Sequence, residues 1–210
     1  VVKGNSTINN ATAYRGQLTL EKGTLSGSAL NNVGKFTLQS GTVNNVIRGN
    51  GVVIKNGPGT VTLSGANTYS GGSSIRNGTV TLGNAGALGR GSVSLVRGTL
   101  NLNSKAVTND ITKGSGTATL QNAGSYNGIL TLNGGVLNVK AGAFRAAGVE
   151  LNGGTLNVSA PASLKDMTPL NIAGILQVNA PTTIKLTSEY AIGSYTLSNM
   201  RSFIGDVNDI

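Results

Sequence analysis

A glycine recurs through almost the entire chain at intervals of 18 to 20 residues, and this spacing limits the folds that the sequence can adopt. The recurring glycines are Gly23, Gly41, Gly59, Gly78, Gly98, Gly116, Gly135, Gly154, Gly174 and Gly193. The position two residues after each glycine is apolar or aromatic, and it holds Leu25, Val43, Val61, Val80, Leu100, Ala118, Leu137, Leu156, Leu176 and Tyr195. The next position is polar in every copy. Because this alternation is the period of a β-strand, each repeat predicts a short strand with one buried face.

A second set of short strands is predicted between the glycine-marked ones, at residues 18–20, 52–54, 93–95, 130–132 and 149–151. Gly, Asn and Ser residues separate the two strand types and favour corners. Such short strands cannot bury themselves alone, but like residues at like positions allow each turn to stack on its copy about 4.8 Å away. The sequence therefore predicts an all-β fold, a single-stranded right-handed parallel β-helix (a solenoid) of about ten turns, with about 18–20 residues per turn. Val61, Val80 and Leu100 should then be vertical neighbours in one interior column.

Other β architectures fit the repeat less well. A β-sandwich needs alternation but no fixed register between its strands. A leucine-rich repeat would carry an asparagine after leucine and a helical spacer, and a calcium-binding β-roll would carry Gly-Gly-x-Gly-x-Asp nonapeptides. With 7 Asp and Glu residues, the chain could not supply one aspartate per turn.

The missing residue types exclude several chemistries. The 210 residues contain no Cys, His or Trp, which removes thiol nucleophiles, Cys or His metal sites and His general bases. The net charge is +9, but Lys and Arg are spread singly from Lys3 to Arg201 without interleaved aromatics, so we expect no nucleic-acid partner. A weak preference for acidic glycans or lipid headgroups is the alternative to scattered, solvated charge. We predict no metal site and no cofactor.

Carbohydrate-active enzymes also use β-helices, and glycosidic hydrolysis needs two carboxyl groups about 5 to 9.5 Å apart. Glu21, Asp110 and Glu150 fall several turns apart in the repeat. Glu189 and Asp206 fall on neighbouring turns, at about 8 Å from the strand rise and spacing. Two solvated acids near the end of a chain are the commoner situation, so we predict no catalytic residue and no enzymatic activity.

The remaining distinctive side chains are interpreted as structural. Tyr195 belongs to the inward column and is assigned to the core, while Tyr69 and Tyr126 are expected to cover Gly-rich corners rather than bind a sugar. Lys165 and Asp166 are expected in a corner loop that bulges from its turn. The outward Thr and Asn residues are expected to stack and hydrogen-bond across turns, with a sugar-binding or ice-like hydroxyl array as the functional alternative. The least regular aromatic residues are Phe144 and Phe203.

One stretch carries a specific motif, since residues 57–89 read GPGTVTLSGANTYSGGSSIRNGTVTLGNAGALG. It resembles the autotransporter-associated β-strand repeat, in which Gly-x-Gly-Thr-Leu-Thr-Leu-Ser-Gly is followed by Asn-Thr-Tyr, a Gly-Gly corner and a second Gly-Thr-Leu. The resemblance implies a β-helical passenger of a type V secreted protein, exposed on a Gram-negative cell, whose repeats aid export and form a stalk. It also implies structural roles for the motif residues Gly59, Asn67, Thr68, Tyr69 and Gly78. Elsewhere the match reduces to a Gly-Thr-Leu skeleton, as at residues 98–102 and 153–158.

We therefore expect residues 1–210 to form one continuous β-helix fragment of a longer passenger, with residues 57–89 as the best-matching repeat unit and residues 187–210 as a cap or irregular end. The expected function is that of a non-catalytic stalk or adhesin segment whose stacked turns support export and display. A host-binding toxin-type passenger and a carbohydrate-active β-helix enzyme are the alternatives. Expected partners are host-surface glycans or proteins, a C-terminal membrane barrel outside this fragment, and a second copy through end-to-end self-association. The expected location is secreted or cell-surface, attached to the outer membrane of a Gram-negative bacterium.

Overall fold

The computed structural model of the chain describes residues 1–8, 16–31, 34–123, 126–140, 144–160, 170–188 and 202–204. Within these ranges all regular elements are β-strands. The same ranges contain no helix that is long and apolar enough to cross a membrane. The chain forms two compact units, Val1–Asn101 and Leu102–Ile210, which we call the first and second units.

The first unit alternates two strand types along the chain. Its strands are β1 (Ser6–Ile8), β2 (Gln17–Leu20), β3 (Thr24–Gly27), β4 (Leu30–Asn31), β5 (Lys35–Leu38), β6 (Gly41–Val43), β7 (Ile47–Arg48), β8 (Val52–Lys55), β9 (Thr60–Leu63), β10 (Ser73–Ile75), β11 (Thr79–Leu82), β12 (Val93–Leu95) and β13 (Gly98–Asn101). Strands β2, β5, β8, β10 and β12 form a parallel sheet, and β1, β3, β6, β9, β11 and β13 form another. The short strands β4 and β7 pair with each other. A complete turn therefore adds one strand to each of the two sheets.

The second unit repeats this plan. Its strands are β14 (Ile111–Lys113), β15 (Thr117–Gln121), β16 (Ile129–Leu132), β17 (Val136–Lys140), β18 (Phe144–Ala146), β19 (Gly148–Leu151), β20 (Gly154–Ala160), β21 (Leu170–Ile172), β22 (Ile175–Val178), β23 (Thr182–Ser188) and β24 (Ser202–Ile204). One sheet has the order β14-β16-β19-β22-β24, and the other has the order β15-β17-β20-β23. Strands β18 and β21 pair with each other.

The core consists of inward columns of apolar side chains. The predicted vertical neighbours Val61, Val80 and Leu100 are confirmed, since Val80 pairs with Val61 in the preceding turn and with Leu100 in the next. None of the three is more than 2% exposed. Removing each such side chain from water contributes roughly 1.5–3 kcal/mol, which offsets part of the entropy of ordering a short strand. The same column arrangement recurs in the second unit, where Leu137 lies between Ala118 and Leu156.

The predicted second set of strands is also confirmed. Residues 18–20, 52–54, 93–95, 130–132 and 149–151 fall in β2, β8, β12, β16 and β19. Their inward side chains stack in the same manner, as shown by Leu18 above Phe36 and Leu20 above Leu38.

The register predicted from the recurring glycines is wrong at one turn of the first unit. The spacing places Val43 beside Val61, but Val43 pairs with Leu63, and Gly41 pairs with Val61. A slip of two residues keeps every side chain on its own face, so the inward pattern tolerates it. The slip explains why an asparagine, Asn45, occupies the position that is Leu or Val in later repeats. Asn45 lies beyond the end of β6, so it does not replace an apolar residue in the inward column of that strand.

A second error concerns Gly174. Its spacing of 20 residues from Gly154 mimics a turn, yet the strand that follows Gly174 pairs with the other strand type, with Leu176 beside Val149. The true neighbour of Leu156 in the next turn is Ile184, which lies 28 positions later. This turn is longer than the other described turns, and residues 161–169 within it lie outside the described ranges.

The predicted fold class, an all-β parallel solenoid, is confirmed, and each unit contributes five strands of the type to which β2 and β14 belong. Eight recurring glycines, from Gly23 to Gly154, precede or begin strands of the predicted type. Of the other two, Gly174 precedes a strand of the other type, and Gly193 lies outside the described residues. The right-handed sense of the coil remains a prediction.

Candidate functional site

Two lysines lie in the interior of the coil, one in each unit. Lys55 is 1% exposed and stands in the inward column between Leu38 and Ile75. Lys113 is fully buried and pairs with Leu132 in the next turn. Both positions belong to strands whose other inward residues are apolar. Sequence reasoning missed this burial, although strict alternation in Val53-Ile54-Lys55 indicates it.

Each buried ammonium is satisfied by backbone carbonyls of the corner that follows its strand and, for Lys55, also by a carbonyl of the equivalent corner in the next turn. The Nζ of Lys55 donates to the carbonyl oxygens of Gly57 and Asn77, the latter at 3.1 Å. The Nζ of Lys113 donates to the carbonyl oxygens of Gly114 and Ser115, the latter at 2.8 Å. A buried carbonyl needs a donor, and a buried cation without acceptors would cost several kcal/mol. The lysines therefore hold the corners in place.

A buried amide links three successive turns of the first unit. Asn67 is 5% exposed, and its Oδ1 accepts a hydrogen bond of 2.7 Å from the backbone nitrogen of Ile47. Its Nδ2 donates to the carbonyl oxygen of Ala87, also at 2.7 Å. One side chain thus connects the preceding and following turns at this corner, in agreement with the structural role that the motif implies for Asn67.

The two corner tyrosines are fully buried rather than available to a ligand. The hydroxyl of Tyr69 lies 2.5 Å from Ser73 Oγ, and that of Tyr126 donates to the carbonyl oxygen of Ile129 at 2.7 Å. Burial raises the pKa of both phenols far above the ordinary value of 10.0. Phe144 stacks on Tyr126 with ring centroids 5.7 Å apart and an interplanar angle of 9°. These rings fill corners, so a sugar cannot stack on them.

The carboxylates of the second unit that the structure describes do not form a catalytic pair. Glu150 lies two turns from Asp110 and two positions further along its strand, which separates their Cα atoms by about 12 Å. Each accepts a local hydrogen bond, Asp110 Oδ1 from the nitrogen of Ile129 at 2.9 Å and Glu150 Oε2 from Thr131 Oγ1 at 3.2 Å.

Several predicted features fall outside the described residues. They are the acid pair Glu189 and Asp206, the corner residues Lys165 and Asp166, and the core tyrosine Tyr195. For Phe203 only the backbone is described, and it pairs with Leu176. Within the described ranges, no group of three or more His, Cys, Asp or Glu residues could hold a metal ion.

The outward polar columns follow the turns in register. Thr81 lies between Thr62 and Asn101 in the first unit, and Asn138 lies between Thr119 and Asn157 in the second. The Nδ2 of Asn157 donates to Asn138 Oδ1 at 2.8 Å, which is the cross-turn bonding expected for stacked amides. A second amide ladder runs along a corner through Asn133, Asn152 and Asn179, at 2.7 and 2.6 Å.

Raising the pH should stabilise the fold through Lys55. Burial disfavours the ammonium and lowers the pKa of Lys55 from 10.5 to about 8. Between these two values the unfolded chain binds more protons than the folded chain, so the free energy of unfolding increases with pH. From about pH 7 to about pH 9.5 we expect an increase on the order of 1 to 2 kcal/mol in the free energy of unfolding, measured by urea titration.

The matched variants are Lys55→Met, which should lose most of this increase, and Lys22→Met at an exposed lysine, which should keep it. The pH range of this experiment ends below the pH at which the buried tyrosines change stability in the opposite direction to Lys55. Because burial raises their pKa, stability falls once the tyrosines of the unfolded chain ionise above about pH 10. A free energy of unfolding that stays constant over this range would contradict a buried ammonium at Lys55.

Comparison with known proteins gives two matches to this chain. The passenger-associated-transport-repeat family matches residues 53–82 and 111–139. An alignment of 141 residues is 32% identical to the adhesin BmaC autotransporter of Brucella suis biovar 1 (strain 1330), and it covers 60% of this chain. The chain spans only 4% of the length of that protein. No solved structure matches the chain significantly.

The two matched repeats place the buried lysine and the buried tyrosine at equivalent positions. Lys55 and Lys113 are each the third residue of a matched segment. Tyr69 and Tyr126 lie in the second corner after these lysines. In both matched segments a buried lysine therefore binds the carbonyls of one corner and a buried tyrosine fills another.

Proposed function

We propose that this chain is a non-catalytic, surface-exposed passenger segment of a Gram-negative autotransporter, because two of its segments match the passenger-associated-transport-repeat family and it resembles part of an adhesin autotransporter. In this role it is a stalk or adhesin segment that is exported through an outer-membrane barrel and displays neighbouring regions away from the cell. Its stacked turns assist the export step.

The observation that carries this proposal is that, within each unit, the described strands pair with strands of the preceding and following turns. In the first unit Val80 contacts its equivalents Val61 and Leu100, and the same holds for Leu137 in the second unit. A chain of this kind can fold one turn at a time as it leaves the barrel, because each turn packs on the turn that folded before it. Each added turn buries apolar surface outside the cell and disfavours return through the barrel.

A host-binding toxin-type passenger is a second candidate for the protein as a whole. The Brucella relative is an adhesin, which favours surface attachment over toxicity. The described carboxylates, which are separated and hydrogen-bonded locally, do not favour a glycosidase.

The export role can be tested by placing the chain, with an N-terminal epitope, between a signal peptide and an autotransporter barrel. We expect the epitope to be stained on intact cells and to be removed by external protease. Leu100→Asp puts a charge into the interior column and should reduce surface staining several-fold, because an unpaired buried charge destabilises each folded turn.

Thr81→Asp is the control, since it places the same charge on an outward position. It should leave surface staining at the level of the unchanged chain. Equal export of both variants would show that stacking of the turns does not assist export. Release of reducing sugar from polysaccharides by the purified chain would contradict the non-catalytic role.

A further inference from the structure

The positive charge of the chain is concentrated in the first unit. Residues 1–101 contain nine Lys and Arg residues and one acid, Glu21, whereas residues 102–210 contain seven Lys and Arg residues and six acids. The first unit therefore carries a net charge of +8 and the second a net charge of +1, which together give the +9 of the chain. Glu21 already lies 3.8 Å from Lys3. The other basic side chains of the first unit have no second acid in that unit to pair with.

A shallow groove lies on the outer face of this basic unit, across three consecutive turns. Short or missing side chains form its floor and two β-branched side chains flank it. We call it the serine groove, lined by Val52, Ile54, Ser74, Arg76, Ser92 and Ser94 together with the backbone of residues 71–72.

Strand pairing sets the shape of the serine groove. Ser74 lies between Ile54 and Ser94 on adjacent turns, so a column of outward side chains changes from large to small. Gly72 precedes this strand with a φ of +82°, and a Cβ at this position would lie 2.7 Å from the carbonyl oxygen of Ser92. A side chain therefore cannot fill the floor of the groove without a shift of the backbone.

One basic group lines the groove and another lies on the turn beside it. Arg76 is exposed and its Nε donates to Ser74 Oγ at 3.3 Å, which directs the side chain toward the groove. Lys35 lies outside the lining, on the preceding turn, and pairs with Val52 of the groove. From the strand rise and the spacing of turns, the Cα atoms of Lys35 and Arg76 are about 16 Å apart, the length of a short oligosaccharide.

We propose that the serine groove binds an acidic polysaccharide, with Arg76 binding a sulfate or carboxylate group and the serine hydroxyls binding sugar hydroxyl groups. Guanidinium groups bind such anions through two parallel hydrogen bonds. Val52 and Ile54 supply an apolar flank for the carbon–hydrogen face of a sugar ring. The proposal rests on the display function above, because a surface-exposed passenger meets such polymers on host cells or in the surrounding matrix.

The test uses the purified 210-residue chain and a heparin decasaccharide, with a polygalacturonate oligomer, a neutral dextran oligomer and a 20-base-pair DNA duplex as comparison ligands. We expect saturable binding of one or both acidic oligosaccharides, which weakens with added salt, and no binding of the neutral oligomer. Preference between heparin and polygalacturonate distinguishes sulfate from carboxylate recognition.

Two variants of the groove separate a site from diffuse attraction. Arg76→Gln removes the charge, and Ser94→Tyr fills the groove without changing the charge. Each should weaken binding by at least about five-fold, and thermal melting should show that each remains folded. Arg145→Gln, at an exposed arginine of the second unit, is the matched control and should change affinity by less than about two-fold.

Three results would overturn the proposal. They are the absence of saturable binding, an equal loss of affinity in Arg145→Gln, and tighter binding of DNA than of either acidic oligosaccharide. Since binding is measured on the purified chain and export is measured in cells, a failure here leaves the proposed export role standing. A failure of export likewise leaves the binding result unaffected.

Discussion

Replacing Gly78 with alanine is expected to destabilise the first unit by about 3 kcal/mol, or to prevent it from folding. Gly78 has a φ of +68°, a conformation that disfavours residues with a Cβ. A Cβ here would also lie 2.5 Å from Gly59 O and from Lys55 Nζ, and it would meet the carbonyl oxygen of Gly57. The corner would have to move in order to make room. The free energy of unfolding from urea titration measures the effect.

Gly114→Ala is the matched control, because Gly114 has nothing within 4 Å of an added Cβ and no positive φ. We expect this variant to change stability by less than about 0.5 kcal/mol, or to stabilise slightly through the reduced entropy of the unfolded chain. Similar losses of stability in both variants would show that the close packing of successive corners at Gly78 does not determine the free-energy cost of the Gly78→Ala substitution.

Replacing Tyr126 with alanine should cost about 3–5 kcal/mol. The side chain is fully buried, stacks on Phe144 and spans the corner that leads to Ile129. Its loss leaves a cavity between two turns that are held by strand pairing and cannot collapse readily. The loss should appear as a lower urea midpoint and as faster amide exchange in the strands of the adjacent turns.

Tyr126→Phe distinguishes the ring from its hydroxyl. It keeps the stacking on Phe144 and removes only the hydrogen bond to the carbonyl oxygen of Ile129, so we expect a cost of about 1 kcal/mol. If the phenylalanine variant were as unstable as the alanine variant, the hydroxyl group rather than the ring would account for most of the contribution of Tyr126 to stability.

The sequence predicts the fold class because stacked turns require like residues at like positions. Val61, Val80 and Leu100 occupy the same interior column as their spacing predicts. Spacing alone does not determine register. A slip of two residues at Val43 preserves which side chains point inward, and the strand after Gly174 has the same local pattern in either sheet. Only the pairing of whole strands resolves these positions.

The buried polar residues were less predictable than the apolar columns. Lys55 stands at an inward position, but lysine is normally exposed, and its carbonyl acceptors come from a corner and a following turn. The serine groove was also not predictable, because it depends on which outward residues of β8, β10 and β12 meet across turns. The concentration of basic residues in the first half of the chain is the one sequence signal that points toward it.

The central claim is that equivalent side chains lie over one another in successive turns, and methyl-to-methyl nuclear Overhauser effects in a Val- and Leu-labelled chain test it most directly. We expect strong cross-peaks from Val80 to both Val61 and Leu100, and from Val43 to Leu63. Cross-peaks between Val61 and Leu100 should be weak or absent, since two turns separate them by about 9.6 Å. Absence of the Val80 cross-peaks, or a pattern that requires antiparallel neighbours, would contradict the stacked solenoid.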